Sequence, residues 1–68
     1  MDFTINNEKF SVDQDSLTLQ QVLALKGIDN LPGIAVAVNQ QVVPRTAWNE
    51  KSVESHDQLL IITATQGG

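Results

Sequence analysis

The chain has no cysteine, no tyrosine, one tryptophan and two phenylalanines among its 68 residues. Without cysteine there is no disulfide framework, no thiolate zinc site and no thiol to carry a persulfide. Basic residues are scarce. Four Lys and Arg face eight Asp and Glu, a formal net charge of −4. An acidic surface suits a nucleic-acid backbone poorly, so no nucleic-acid partner is expected. No apolar run approaches the ~20 residues of a membrane span. The opening MDFTINNEKF has neither the basic start nor the apolar stretch of a secretory signal. A cytoplasmic location with no membrane partner is therefore expected.

Catalytic constellations are also missing. His56 has no Cys or second His beside it, so a solvated turn is expected there and not a metal site. Glu50, Glu54 and Asp57 are spaced for a polar loop, not for a paired-carboxylate site. There is no Ser-His-Asp set and no phosphate-cradling glycine loop. The expectation is a chain that is no enzyme and binds no metal or cofactor itself.

What is present is a compact set of folding signals. Met1, Phe3 and Ile5 alternate with polar residues, and Phe10 and Val12 resume the alternation after NNE. Residues 1–12 thus read as a β-hairpin, with asparagines where a tight turn requires positive φ. LTLQQVLALKGI follows. Thr18 and Gln21 form a capping box, and Leu17 and Val22 fit a hydrophobic staple. Leu19, Val22 and Leu23 share a face, Lys26 suits the last turn, and Gly27 is a left-handed stop over which Ile28 folds back on Leu23. The spacing predicts a helix over about 18–26. After the DNLPG loop, Ile34, Val36 and Val38 point one way and Ala35 and Ala37 the other. Asn39 to Gln41 turn the chain into a short strand at Val42 and Val43, which Pro44 ends. Residues 44–53 read as a helical turn or loop anchored by Trp48, with Arg45 a surface or loop-fixing residue. QLLIITAT is apolar on both faces, as a central strand is.

This order predicts an α+β domain: a mixed sheet of about five strands with one main helix on one face, and the first and last strands adjacent and parallel at the centre. That is β-grasp (ubiquitin-like) architecture. It leaves the other sheet face without a helix. Residues 1–65 are expected to form the domain and 66–68 a flexible Gly-Gly tail. Three or four extended residues reach roughly 10–14 Å beyond a sheet. Gly67 and Gly68 have no Cβ and can thread a channel too narrow for other residues, and the only reactive group there is the Gly68 carboxylate. A carboxylate is a poor electrophile, so another enzyme must first activate it. A frayed terminus without a task is the alternative reading.

AVAVNQQVVPRTAW (35–48) and the terminal TATQGG resemble the sulfur carrier family of thiamine biosynthesis, the ThiS family. The similarity spans the chain: the hairpin, the TLQQVLALKGI helix, NQQVVPR…W, the Asp57-Gln58 approach to the last strand, and the Gly-Gly end. The resemblance implies that an adenylating enzyme activates Gly68 with ATP and Mg²⁺ bound on that enzyme. A sulfur-transfer enzyme then converts the acyl-adenylate to a thiocarboxylate, which gives its sulfur to thiazole synthase. Gly67 and Gly68 are the family positions that carry over; Gln66 lies where many relatives have a small or apolar residue. By β-grasp analogy Leu59 and Ile61 pack inward. Leu60 and Ile62 then lie on the open face beside Ala35 and Ala37 and form a candidate partner interface. The alternatives are the small subunit of molybdopterin synthase, a ubiquitin-like modifier and a plain interaction module.

Overall fold

A computed structural model describes residues 1–63, and the expected tail lies outside them. The chain runs β1 (Asp2–Ile5), β2 (Glu8–Ser11), β3 (Leu17–Thr18), α1 (Leu19–Leu25), β4 (Ile34–Val38), β5 (Gln41–Val43), a 3-10 turn (Arg45–Ala47), β6 (Ser52–Val53) and β7 (Gln58–Thr63). Five strands form one mixed sheet in the order β2-β1-β7-β4-β5. The first and last strands are neighbours and parallel, with Thr4 opposite Gln58 and Ile5 opposite Leu59. β4 lies antiparallel on the other side of β7, in register from Ile34–Thr63 to Val38–Leu59. The β-grasp expectation holds in strand order, direction and helix count.

The hairpin turns are as their asparagines require. Asn6 and Asn7 have φ of 51° and 70°, and Asn39 and Gln40 have 50° and 71°. Two successive residues at positive φ give the mirror-image turn whose twist matches that of the flanking strands. Gly27 has φ of 72° and ends α1, and the Ile28 N–H donates to the Leu23 carbonyl at 3.0 Å. At the other end of α1, the Gln21 N–H donates to Thr18 Oγ1 at 3.2 Å, and the Thr18 N–H donates to Gln21 Oε1 at 2.9 Å. Each side chain of the capping box therefore satisfies a helix-terminal donor of the other residue. Lys26 lies one residue past the last turn expected for it, still at the helix C-terminus. It is the C-cap residue, and its ammonium lies 4.8 Å from the Phe10 ring centroid.

The core lies between α1 and one face of the sheet. Leu19, Val22 and Leu23 from the helix meet Phe3, Ile5, Val36, Val38 and Leu59 from the strands. Trp48 and Val53 close the side of this layer, both buried. The Trp48 Nε1–H donates to the Val43 carbonyl at 2.9 Å, so the indole is buried with its polar atom satisfied. The Arg45 guanidinium stacks 4.5 Å over the same ring, and its two terminal nitrogens donate to the Asp29 and Leu31 carbonyls. Trp48 is thus the expected anchor, and Arg45 fixes the loop that leads into β4.

One part of residues 44–53 departs from the turn-or-loop expectation. Ser52 and Val53 are a strand, paired antiparallel with Thr18 and Leu17. The pair is held because Leu17 and Val53 both drop into the core, and the Leu19 N–H reaches the Lys51 carbonyl at 2.8 Å.

We predict that Trp48→Ala costs about 3–5 kcal/mol, a large share of the about 3–10 kcal/mol expected of a domain this small. Thr18→Ala should cost only about 1 kcal/mol. Urea denaturation midpoints test the ranking; a Trp48→Ala protein as stable as Thr18→Ala would remove Trp48 from its closing role.

Candidate functional site

Strand β7 sorts its side chains by alternation. Leu59 is buried and Ile61 packs partly into the core, whereas Leu60 and Ile62 are 49% and 54% exposed. On the open face Ala37 lies opposite Leu60, and Ala35 lies opposite Ile62. The four residues singled out in the sequence are therefore brought together, two cross-strand pairs side by side. The alanines are too small to cover their partners, which leaves the leucine and isoleucine raised above a flat floor.

A fifth apolar residue joins them. Val42 lies opposite Ala37 on the far side of β4 and is 75% exposed. Sequence reasoning placed it in a strand but gave it no face. The signal was available: a two-residue turn at Asn39-Gln40 puts Val42 in register with Ala37, on the face opposite Val43.

The β1–β2 half of the same face is polar. Asp2, Thr4, Lys9 and Ser11 occupy the outward positions of strands whose inward residues are Phe3, Ile5 and Phe10. The Ser11 hydroxyl donates to Asp2 Oδ1 at 2.7 Å, and this bond holds the Asp2 carboxyl below its ordinary range. Its contribution is present above the unfolded-state carboxyl range and is lost as pH falls through the lowered value. Asp2, Lys9, His56 and Gln58 line a shallow depression of about 270 Å³. His56 sits at φ of 71° in an exposed turn, as expected of a solvated residue. Asp57 is built into that turn, accepting from the Glu54 N–H at 2.8 Å and from Asn39 Nδ2 at 3.0 Å. Among the described residues no three of His, Asp or Glu converge as a metal site would need. No helix of the described chain is long and apolar enough to cross a membrane.

β7 ends at Thr63. Gly67 and Gly68, the expected adenylation and threading positions, lie outside the described residues.

The two faces of β7 make opposite predictions for stability. Leu59→Ala should cost about 2–5 kcal/mol, as a core truncation does. Leu60→Ala should stay within about 0.5 kcal/mol, as surface changes do. Thermal or urea unfolding of the pair decides; equal losses would place Leu60 in the core.

The sequence pattern of the ThiS family matches residues 2–68 of the chain. The chain is also similar to the sulfur carrier protein ThiS of Escherichia coli (strain K12), with 44% identity over 36 residues. That stretch spans 53% of this chain and about half (54%) of that protein's length. The crystal structure of the thiamine biosynthesis protein ThiS from Geobacter metallireducens superposes with a TM-score of 0.87 at 25% identity, covering all of both chains. A solution structure of a thiamine biosynthesis protein from the same organism gives 0.79 at 25% identity, covering all of this chain and 88% of that one. With a pattern match from residue 2 to residue 68 and the same sheet and helix in a solved member, the chain belongs to the ThiS family.

Proposed function

We propose that the protein is a sulfur carrier of thiamine biosynthesis whose working group is the Gly68 carboxylate. The observation that carries this reading is the extent of the family match, which runs through both terminal glycines. The Escherichia coli relative, a sulfur carrier protein, supports it. So does the position of β7, the central strand of the sheet and the last described element before the terminal glycines in the sequence.

In the proposed cycle the chain is the substrate of an adenylating enzyme. A carboxylate oxygen of Gly68 attacks the α-phosphorus of ATP held with Mg²⁺ on that enzyme, and pyrophosphate leaves. The resulting acyl-adenylate has a good leaving group where the carboxylate had none. A sulfide-level nucleophile from a sulfur-transfer enzyme then attacks the acyl carbon, and AMP departs with the bonding electron pair. The product is a thiocarboxylate, formed without net oxidation or reduction. It is a softer and stronger nucleophile than the parent group and is passed to thiazole synthase. The chemistry depends on ATP and on three partners, and the cytoplasm is the compartment we assign to it.

Leu60, Ile62, Ala35 and Ala37, with Val42 beside them, are the docking surface we assign to these partners. A raised apolar pair on a flat floor gives a partner area to bury while the chain beyond β7 enters its active site. Gly67 serves as the side-chain-free approach.

Intact mass after incubation with an adenylating enzyme of this family, ATP and a sulfur source should show one oxygen replaced by sulfur. Appearance of the chain joined to other proteins would make it a modifier instead, and no change would leave an interaction module. A chain lacking Gly68 should fail to load sulfur yet unfold at the same temperature as the full chain. Leu60→Glu should weaken partner binding about tenfold or more by burying an unpaired charge, with the fold intact by circular dichroism. Unaltered affinity would move the interface elsewhere.

A further inference from the structure

Strand direction places a different hairpin turn at each end of β7. β1 runs parallel to β7, so the Asn6-Asn7 turn lies toward the end where β7 leaves the sheet. β4 runs antiparallel, so the Asn39-Gln40 turn lies where β7 begins. Each turn begins with an asparagine at positive φ, and each asparagine side chain bonds to β7. Asn39 Oδ1 accepts from the Gln58 N–H at 2.9 Å. Asn6 Oδ1 accepts from the Ile61 N–H at 2.8 Å, and Asn6 Nδ2 donates to the Ile61 carbonyl at 3.3 Å.

The Asn6 contact fills a definite gap. The ladder between β1 and β7 consists of Thr4–Gln58 and Ile5–Leu59, and the Asn6 N–H still reaches the Leu59 carbonyl at 2.9 Å. There the backbone turns away into β2. The Ile61 N–H and carbonyl then face an edge with no strand beside them. A primary amide carries the same donor and acceptor as a peptide group. The Asn6 side chain therefore stands in for the missing strand residue and extends the ladder by one step. Asparagine meets two demands at once: it tolerates the left-handed backbone at φ of 51°, and it supplies both bonds. Glycine would meet only the first demand, and aspartate would set a carboxylate against the Ile61 carbonyl.

We propose that Asn6 is a positioning residue for the carrier reaction. Its amide carries the bonding on the β1 side of β7 as far as Ile61, which lies opposite Val36 of β4, and so fixes the direction in which the chain is offered to the activating enzyme. This assignment rests on the sulfur-carrier reading given above.

The test compares Asn6→Gly with Asn39→Gly. Each removes a pair of side-chain hydrogen bonds at one end of β7 and keeps the residue type a positive-φ turn accepts. Steady-state sulfur loading by the activating enzyme is measured for both, with amide hydrogen exchange of Leu59 and Ile61. For Asn6→Gly, kcat should fall about three- to tenfold with KM unchanged, because the body still docks while the reacting end is less well placed. Ile61 should lose protection and Leu59 should keep it. Asn39→Gly should leave kcat at the level of the unsubstituted chain. Equal slowing of both variants, undiminished Ile61 protection in Asn6→Gly, lost protection without slowing, or global unfolding of Asn6→Gly would each overturn the role. If the unsubstituted chain takes up no sulfur, the carrier reading fails instead, and the exchange data still report whether the amide holds Ile61.

Discussion

The pairing of β7 on both edges is the interaction on which the rest of the structure depends. Without it the molecule separates into an N-terminal hairpin and a β4–β5 hairpin, and an isolated two-stranded hairpin is marginal at best in water. With it, Leu59 and Ile61 join Phe3, Ile5, Val36 and Val38 in one apolar surface. Leu19, Val22 and Leu23 of α1 cover that surface. Because β7 comes last in the chain, these contacts span nearly the whole sequence, and the sheet is complete only when its final strand is inserted.

A chain this short cannot lavish residues on a core. The structure compensates by giving most loop residues a bonding partner. Arg45 ties the loop before β4 to Trp48, Asp57 closes its own turn and also meets Asn39, and the Met1 ammonium donates to the Val12 carbonyl at 2.7 Å. No buried side-chain polar atom among the described residues lacks a partner. Polar groups that cannot add apolar area instead fix where the segments lie relative to one another.

The sequence made much of this legible because its signals are local. NNE specifies a mirror-image turn, Thr18 and Gln21 specify a helix start, and Gly27 specifies its stop; each is decided by residues within four positions. The parallel centre was also within reach, since only a central strand is apolar on both faces. The β3–β6 pair was not, because two-residue strands have no periodicity and Ser52 and Val53 are held by distant Leu17 and Thr18. Lys26 sits at the helix end that its charge suits, but its contact with Phe10, sixteen residues earlier in the chain, has no local signal. At the candidate site, alternation separated Leu60 and Ile62 from Leu59 and Ile61, but only the β-grasp analogy put the first pair on the open face beside Ala35 and Ala37; Val42 required the register across a turn. The side-chain roles of Asn6 and Asn39 were hidden for the same reason: the turn explains why asparagine is tolerated, and only the neighbouring strand shows what its amide does.

The parallel placement of β1 beside β7 has a mechanical consequence. The chain begins at one end of this strand pair, and β7 points out of the other. Tension between the two therefore runs along the strands, and the bonds linking them must slide together; they cannot open one after another. In the proposed carrier cycle, a pull on the chain beyond β7 would run along this axis, and resistance there is set by the rate of forced opening and not by equilibrium stability. The arrangement orients the whole molecule along its toughest direction.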